Sequence, residues 1–336
     1  MAFVNAHYRN LPGSYLVSEI AKRVQAHAGA NPGKRLIRLG IGDVTSPRPP
    51  SVIAALHKAV DEQAVTATFR GYGPEQGYDF LRGAILKDCF QGLGIEADEI
   101  FVSDGAKCDI GNFQELFDSS CKVAITDPVY PVYADSNVMA GRAGAQKDGR
   151  FEGMIYLPCT AENNFVPDFP EERPDLIYLC YPNNPTGTVL TKDQLKAWVD
   201  YARANDSVIL YDAAYEAYIS TPDIPHSIYE VEGAREVAVE FRSYSKLAGF
   251  TGLRCGYAVV PGRVRGRGKG EKDKSVPLHG QRRPRQTNKY NGCPHTLQRS
   301  CEADHTPQGR RGSASTPAGY TNSPRVLRPR APFLAL

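Results

Sequence analysis

The sequence predicts an α/β protein with a mostly parallel central sheet. Three observations predict it: short runs that are apolar on both faces, helical periods lying between those runs, and turns carrying Gly, Asn or Asp where the runs end. In order, Leu16, Val17, Ile20 and Val24 share one face of a helix over 14–28. Leu36 to Leu39 reads as a strand entering Gly40-Ile41-Gly42-Asp43. Val52, Ile53, Leu56, Ala59 and Val60 make 51–63 amphipathic, and Gly71 to Gly77 is a loop ahead of a helix from Phe80 to Phe90. The strand Ile100-Phe101-Val102 precedes a helix opening at Gly105. Lys122 to Thr126 precedes a helix through Tyr133, and Leu176 to Cys180 runs into Pro182-Asn183-Asn184-Pro185-Thr186-Gly187. Thr191 with Gln194 forms a capping box for a helix over 192–205. Val208 to Tyr211, Val237 to Phe241 and Gly256 to Val260 complete the buried strands.

The 336 residues are 41% hydrophobic and 23% charged, the balance of a globular protein. That excludes wholesale disorder, collagen and a disulfide miniprotein. No run of 18 apolar residues exists, which argues against a membrane-spanning helix. Met1 to Arg9 lacks a secretory pattern, and the eight cysteines include no CxxC pair. Scattered thiols of this kind point to a reducing compartment, so the expected location is cytoplasmic, or plastid stroma if a leader precedes this sequence. The net charge of +3 hides an asymmetry: residues 261–336 carry 16 Lys/Arg against 4 Asp/Glu, whereas 1–260 carry 24 against 33. Gly and Pro make up 18 of those last 76 residues. Arg-Gly runs there can contact nucleic-acid phosphates, but such tails are commonly just solvated, so a nucleic-acid partner is not expected. Cys293, His295, Cys301 and His305 fit no standard zinc spacing, and no metal is expected.

Ligands of an open parallel sheet sit at the carboxyl ends of its strands. Four such ends carry unusual groups. Ser103-Asp104-Gly105-Ala106-Lys107 forms a strand-to-helix turn whose first amides suit a phosphate, though ordinary turns look the same. Asn183-Asn184-Pro185 offers an amide on a proline-braced turn, again a common turn composition. Tyr211-Asp212-Ala213-Ala214-Tyr215 puts a carboxylate at a buried strand end, which is costly unless paired; a protonated pyridine nitrogen is one partner, and a helix cap is the plainer use. Ser243-Tyr244-Ser245-Lys246, followed by Arg254, gathers two hydroxyls and a guanidinium for a phosphate, beside a lysine able to form an imine with a carbonyl cofactor. Together they supply what pyridoxal 5′-phosphate needs.

These motifs, with Leu39-Gly40-Ile41-Gly42-Asp43-Val44, Gly71-Tyr72-Gly73 and Asp127-Pro128-Val129-Tyr130-Pro131-Val132-Tyr133, make the chain resemble the fold-type I pyridoxal-phosphate-dependent aminotransferases, and within them the LL-diaminopimelate branch. The resemblance covers 1 to about 260, resumes at Arg285 to Gly292 and weakens after about Gln308. It implies a large domain with a mostly parallel sheet, an incomplete small α/β domain, and a homodimer acting on amino acid and 2-oxo acid substrates. The implied reaction is transamination between LL-2,6-diaminopimelate and 2-oxoglutarate, with a lysine-acting relative or an impaired cofactor-binding remnant as alternatives. By the same resemblance Lys246 is the catalytic lysine and Asp212 holds the pyridine nitrogen. Asn184 and Tyr215 donate to the ring oxygen, and Tyr130 stacks on the ring. Ala106, Lys107, Ser243, Ser245 and Arg254 hold the phosphate, and Tyr72 arrives from the partner subunit. Tyr15, Gly42, Tyr72, Tyr130, Asn184 and Asn291 are expected at the substrate.

The implied domains are 1–45, an arm with part of the small domain; 46–260, the large cofactor domain; 261–310, a degraded family-like segment; and 311–336, a basic, disordered tail. The family's arginine for the substrate α-carboxylate has no counterpart here. Gly280-Gln281-Arg282-Arg283-Pro284 also stands where the family is apolar, a departure expected of a shifted reading frame.

Overall fold

The computed structural model describes residues 1–11, 16–36, 44, 47–268 and 275–313. Helices α1 (Leu16–Ala30), α2 (Pro50–Asp61) and α3 (Asp79–Cys89) lead to strand β1 (Ile100–Ser103) and helix α4 (Ala106–Phe113). Then follow β2 (Val123–Asp127), α5 (Pro131–Met139), the small strands β3 (Gln146–Lys147) and β4 (Arg150–Phe151), β5 (Met154–Pro158), β6 (Leu176–Cys180) and α6 (Lys192–Ala204). The chain continues through β7 (Val208–Asp212), α7 (Ala234–Val237), β8 (Ala238–Ser243), α8 (Tyr244–Leu247), β9 (Gly256–Val259), β10 (Arg265–Arg267), β11 (Ser275–Pro277), α9 (Leu278–Lys289) and α10 (His295–Asp304). Seven strands form one sheet in the order β1-β9-β8-β7-β6-β2-β5. Its β5, β2, β6, β7 and β8 run parallel, and β9 is antiparallel to both β8 and β1.

Alternate residues of each strand feed opposite cores, which is why the runs read as apolar on both faces. Val102, Ile177, Leu179, Ile209, Tyr211 and Val259 face one core, closed by Val52, Leu81, Ile85, Trp198 and Cys301 from α2, α3, α6 and α10. Phe101, Val123, Ile125, Tyr178, Leu210 and Phe241 face the other, closed by Ile110, Phe113, Val132, Tyr133 and Leu278 from α4, α5 and α9. The result is a three-layer sandwich. The Thr191–Gln194 capping box is formed at α6 as predicted: Gln194 N donates to Thr191 Oγ1 at 3.2 Å, and Thr191 N to Gln194 Oε1 at 2.9 Å.

The structure differs from the sequence reading in three places. Strand β5 was not expected, although Met154 to Leu157 is an apolar run; it forms the edge of the sheet beside β2. Val237 belongs to a short helical turn, so β8 begins at Ala238. The segment expected to be degraded, 261–310, builds α9 and α10, and their inward faces are largely polar. Gln286 Nε2 donates to the carbonyls of Glu75 (3.0 Å) and Val102 (3.1 Å). Gln298 accepts from Tyr78 N at 2.8 Å and donates to Cys293 O at 2.6 Å. Ser313 is buried and donates to Asp304, so the expected tail begins as packed chain; 314–336 lie outside the described residues. The expected strand at 36–39 and the Gly40–Val44 motif also fall almost wholly outside them.

The most unusual core element is Arg282 of α9, 1% exposed, paired through Nη2 with the buried Asp109 of α4 at 2.6 Å. Its guanidinium lies 5.7 Å from the Phe101 ring and 5.9 Å from that of Phe113. Among the described residues its Nε and Nη1 find no acceptor. Removing one member of a buried pair strands the other charge, at a cost of about 3–5 kcal/mol. Arg282→Met is therefore expected to lower the unfolding free energy by about that much in urea titrations, and Arg282→Met with Asp109→Asn is expected to recover part of it. Equal stability of wild type and Arg282→Met would show that the pair carries nothing.

Candidate active site

The sheet register sets the candidate residues in a row. Ser103 pairs with Gly256, Gly256 with Ser243, Asp212 with Phe241, and Cys180 with Asp212, so the ends of β1, β9, β8, β7 and β6 open side by side. The connections at this edge deliver the groups: Ala106 after β1, Asn184 after β6, Tyr215 after β7, and Ser245, Lys246 and Arg254 between β8 and β9.

The first group forms a cup. Cys108 N and Asp109 N are the first donors within α4, both to the Gly105 carbonyl, and the first-turn amides of Ala106 and Lys107 precede them. Gly105 is at φ +131°, and a Cβ there would fall 2.4 Å from Nη2 of Arg254. A Cβ on Gly256 would fall 2.7 Å from the Gly105 Cα. Only glycines at both places let the guanidinium close over the helix N-terminus. Arg254 is itself left-handed, at φ +66°, and donates through Nη1 to Ser245 Oγ at 3.0 Å and to the Thr251 carbonyl at 3.2 Å. Ser243 Oγ caps α8 by accepting from Ser245 N at 3.1 Å. A dianion fits this cup of cation, hydroxyls and helix amides.

Asp212 is the second group. It is 5% exposed, and no basic side chain pairs with it among the described residues. Burial pushes its carboxyl above the usual range, opposed by donors from Tyr133 Oη at 2.7 Å and Ala214 N at 3.0 Å. A buried acceptor lacking a cation suits a protonated ring nitrogen. The third group is the pair Asn184 Nδ2 and Tyr215 Oη, 3.4 Å apart. Asn183 ties the turn instead, accepting from Thr186 N (3.0 Å) and Thr186 Oγ1 (2.8 Å), and this leaves the Asn184 amide facing Tyr215. Burial pushes the Tyr215 hydroxyl up to about 12, keeping it a donor. Lys246 Nζ lies 5.7 Å from the Tyr215 ring centroid. The set of cup, carboxylate, paired donors and adjacent amine fits pyridoxal phosphate group by group.

Tyr130 is half-buried, its ring 5.6 Å from and nearly perpendicular to that of Tyr133. Tyr72 and Asn291 are exposed and make no described contact with the row. Their segments do adjoin, since a Cβ on Gly292 would lie 3.0 Å from the Pro74 carbonyl oxygen. Tyr15 and Gly42 lie outside the described residues; Val44, two residues past Gly42, comes within 3.9 Å of a Cβ built on Gly249 in the Lys246–Arg254 loop. Sequence reasoning gave Tyr133 no role. The available signal was the three-residue interval from Tyr130, which puts both rings on one side of a helical turn.

A family model described as aminotransferase class I and II matches residues 34–269. A protein of Desulforapulum autotrophicum named LL-diaminopimelate aminotransferase is 56% identical over 326 residues, 96% of this chain and 79% of that protein. One of the same name from Methanosphaera stadtmanae is 54% identical, over 97% of this chain and 79% of that protein. The solved L,L-diaminopimelate aminotransferase of Chlamydomonas reinhardtii superposes with a TM-score of 0.88 at 41% identity, covering 95% of this chain and 77% of that one.

The cup makes its own prediction. Gly105→Ala would place a methyl on the Arg254 guanidinium in a backbone region closed to L-residues, a strain of about 1–3 kcal/mol. Affinity for pyridoxal phosphate, read by absorbance titration of apoprotein, is expected to fall roughly 10-fold or more. Unchanged affinity would remove Arg254 from the cup.

Proposed function

Because the chain belongs to the class I and II aminotransferases, we propose that it transfers an amino group between LL-2,6-diaminopimelate and 2-oxoglutarate, giving tetrahydrodipicolinate and glutamate, with the reverse direction serving lysine biosynthesis. Pyridoxal 5′-phosphate is the cofactor of this family. The observation that carries the reading is the single strand-end row of Asp212, Asn184, Tyr215, Lys246 and Arg254, in a chain 51–56% identical to proteins bearing that name.

When bound, the cofactor supplies an electron sink for the carbanion left by loss of the Cα proton. Asp212 keeps the ring nitrogen protonated, and in a buried setting that ion pair is worth more than in water. Asn184 and Tyr215 donate to the ring oxygen. Ser243, Ser245, Arg254 and the amides of Ala106 and Lys107 hold the phosphate, fixing the reacting carbon. Tyr130 covers the ring face and keeps water from it. Lys246 would take the proton from Cα and return it to the carbon on the other side of the transferred nitrogen, so a single amine would serve as base and then as acid.

The substrate contacts belong to the same proposal: Tyr15, Gly42 and Asn291, with Tyr130 and Asn184, on the open side of the row. Tyr72 completes the site of a second copy in a homodimer. Exposed Phe3, Val4, Tyr8 and Phe69, with Tyr72, supply apolar surface for that contact. No helix among the described residues is long and apolar enough to cross a membrane.

The test is one half-reaction. LL-diaminopimelate added to the loaded protein is expected to bleach its visible band, and 2-oxoglutarate to restore it with release of glutamate. A band that ignores diaminopimelate would overturn the reading, and a response to L-lysine alone would move the substrate. Lys246→Ala is expected to keep phosphate-end binding while losing about 10²–10⁴-fold or more in transfer rate, measured as glutamate formed.

A further inference from the structure

Tyr133 is the third residue of α5 and is buried at 1% exposure. Its hydroxyl donates to Asp212 Oδ2 at 2.7 Å. Its ring is fixed by two aromatic neighbours. It stacks on Tyr178, centroids 5.0 Å apart at 16°, and meets the edge of Tyr130 at 5.6 Å and 80°. Asn137 Nδ2 clamps the same turn, donating to the Tyr133 carbonyl at 2.8 Å and to the Tyr178 hydroxyl at 3.1 Å. Asn137 Oδ1 in turn accepts from the buried Arg142 at 3.1 Å. A hydroxyl held this firmly spends no rotamer freedom in making its bond.

We propose that Tyr133 is a positioning residue that aims the Asp212 carboxylate at the cofactor's ring nitrogen and keeps it ionised, an inference that rests on the reading of Asp212 given above. The two carboxylate oxygens divide the work: Oδ2 takes the Tyr133 hydroxyl and Oδ1 the Ala214 amide. The remaining lone pairs then lie in a plane set by two rigid donors. The same ring touches Tyr130, so one side chain joins the residue proposed for the ring face to the one proposed for its nitrogen. The titratable groups around the carboxylate are Tyr133 from α5, Cys180 from β6 and Tyr215 from the turn after β7, with Lys246 beyond Tyr215. Of these Tyr133 alone is a described donor to it.

The sign of the pH effect follows. Asp212 must be ionised to hold a protonated ring nitrogen. Burial already raises its pKa, and Tyr133 and Ala214 oppose that rise. Removing the hydroxyl lets the pKa climb further, so the acid side of cofactor binding moves to higher pH.

The experiment is a set of apoprotein titrations with pyridoxal phosphate from pH 5 to 9 on wild type, Tyr133→Phe, Asp212→Asn and the double variant, with melting temperatures recorded. Phenylalanine keeps the stack on Tyr178 and removes only the hydroxyl. Tyr133→Phe is expected to weaken binding about 10-fold, as for a hydrogen bond to a charged group. It is also expected to raise the pH of the acid limb by about one unit. In the Asp212→Asn background the same change is expected to add less than about twofold, because its effect runs through the carboxylate. A Tyr133→Phe limb that does not move, or a full effect persisting without Asp212, would overturn the proposal while leaving the role of Asp212 intact. Wild-type affinity in Asp212→Asn would instead overturn the reading beneath it.

Discussion

The candidate site is organised around a buried carboxylate at a strand end. Asp212 ends the middle strand of the sheet with no cation beside it among the described residues. Left to itself a carboxyl in such a place protonates, since desolvation of the anion outweighs a single hydrogen bond. Two donors of fixed geometry, Tyr133 and the Ala214 amide, shift that balance. The stack of Tyr133 on Tyr178, the Asn137 clamp and the Arg142 contact behind it look excessive for packing alone. They make sense as the support of the role proposed for Asp212, an anion held ready for a ring nitrogen.

The phosphate end is governed by space. Three backbones converge where β1, β9 and β8 end, and glycines at 105 and 256 bring them closer than any side chain permits. That closeness lets Arg254, on a turn that is itself left-handed, reach over the N-terminus of α4 and meet Ser245. Donors from the β8–β9 connection and from the first turn of α4 then share one small volume. Because the cup and Asp212 stand on adjacent strands of a rigid sheet, their spacing is set by the strand separation and not by loop conformation.

This explains which features the sequence discloses. Strands buried on both faces announce themselves as apolar runs, so six of the seven main-sheet strands were legible, and the strand-end residues followed from the rule for open parallel sheets. The edge strand β5 was missed although Met154 to Leu157 is apolar, since a run of four residues does not by itself distinguish a strand. Tyr133 was quoted in a motif without a role, since its partner is 79 residues away and only the sheet register brings them together. The antiparallel β9 had no signature, for strand direction leaves no trace in composition. Tyr72 and Asn291, drawn from resemblance, are exposed and make no described contact with the row.

Composition misled most over 261–313. Basic, Gly- and Pro-rich sequence over 261–310 reads as a degraded family-like segment, yet α9 turns Arg282 and Gln286 inward, four residues apart on one face. Neither residue gains its place by hydrophobic burial. Gln286 satisfies the carbonyl of Val102, and Arg282 neutralises Asp109, whose other oxygen accepts from Ser103. Ser103 also accepts from the Gly105 amide at 3.2 Å. The helix is therefore tied by hydrogen bonds to the strand and turn that make the floor of the cup. A polar contact of this kind contributes little net stability, because desolvation consumes most of it. It does fix geometry, since each buried group has few alternative partners. The segment that looks least like the rest of the chain thus underlies the candidate anion cup.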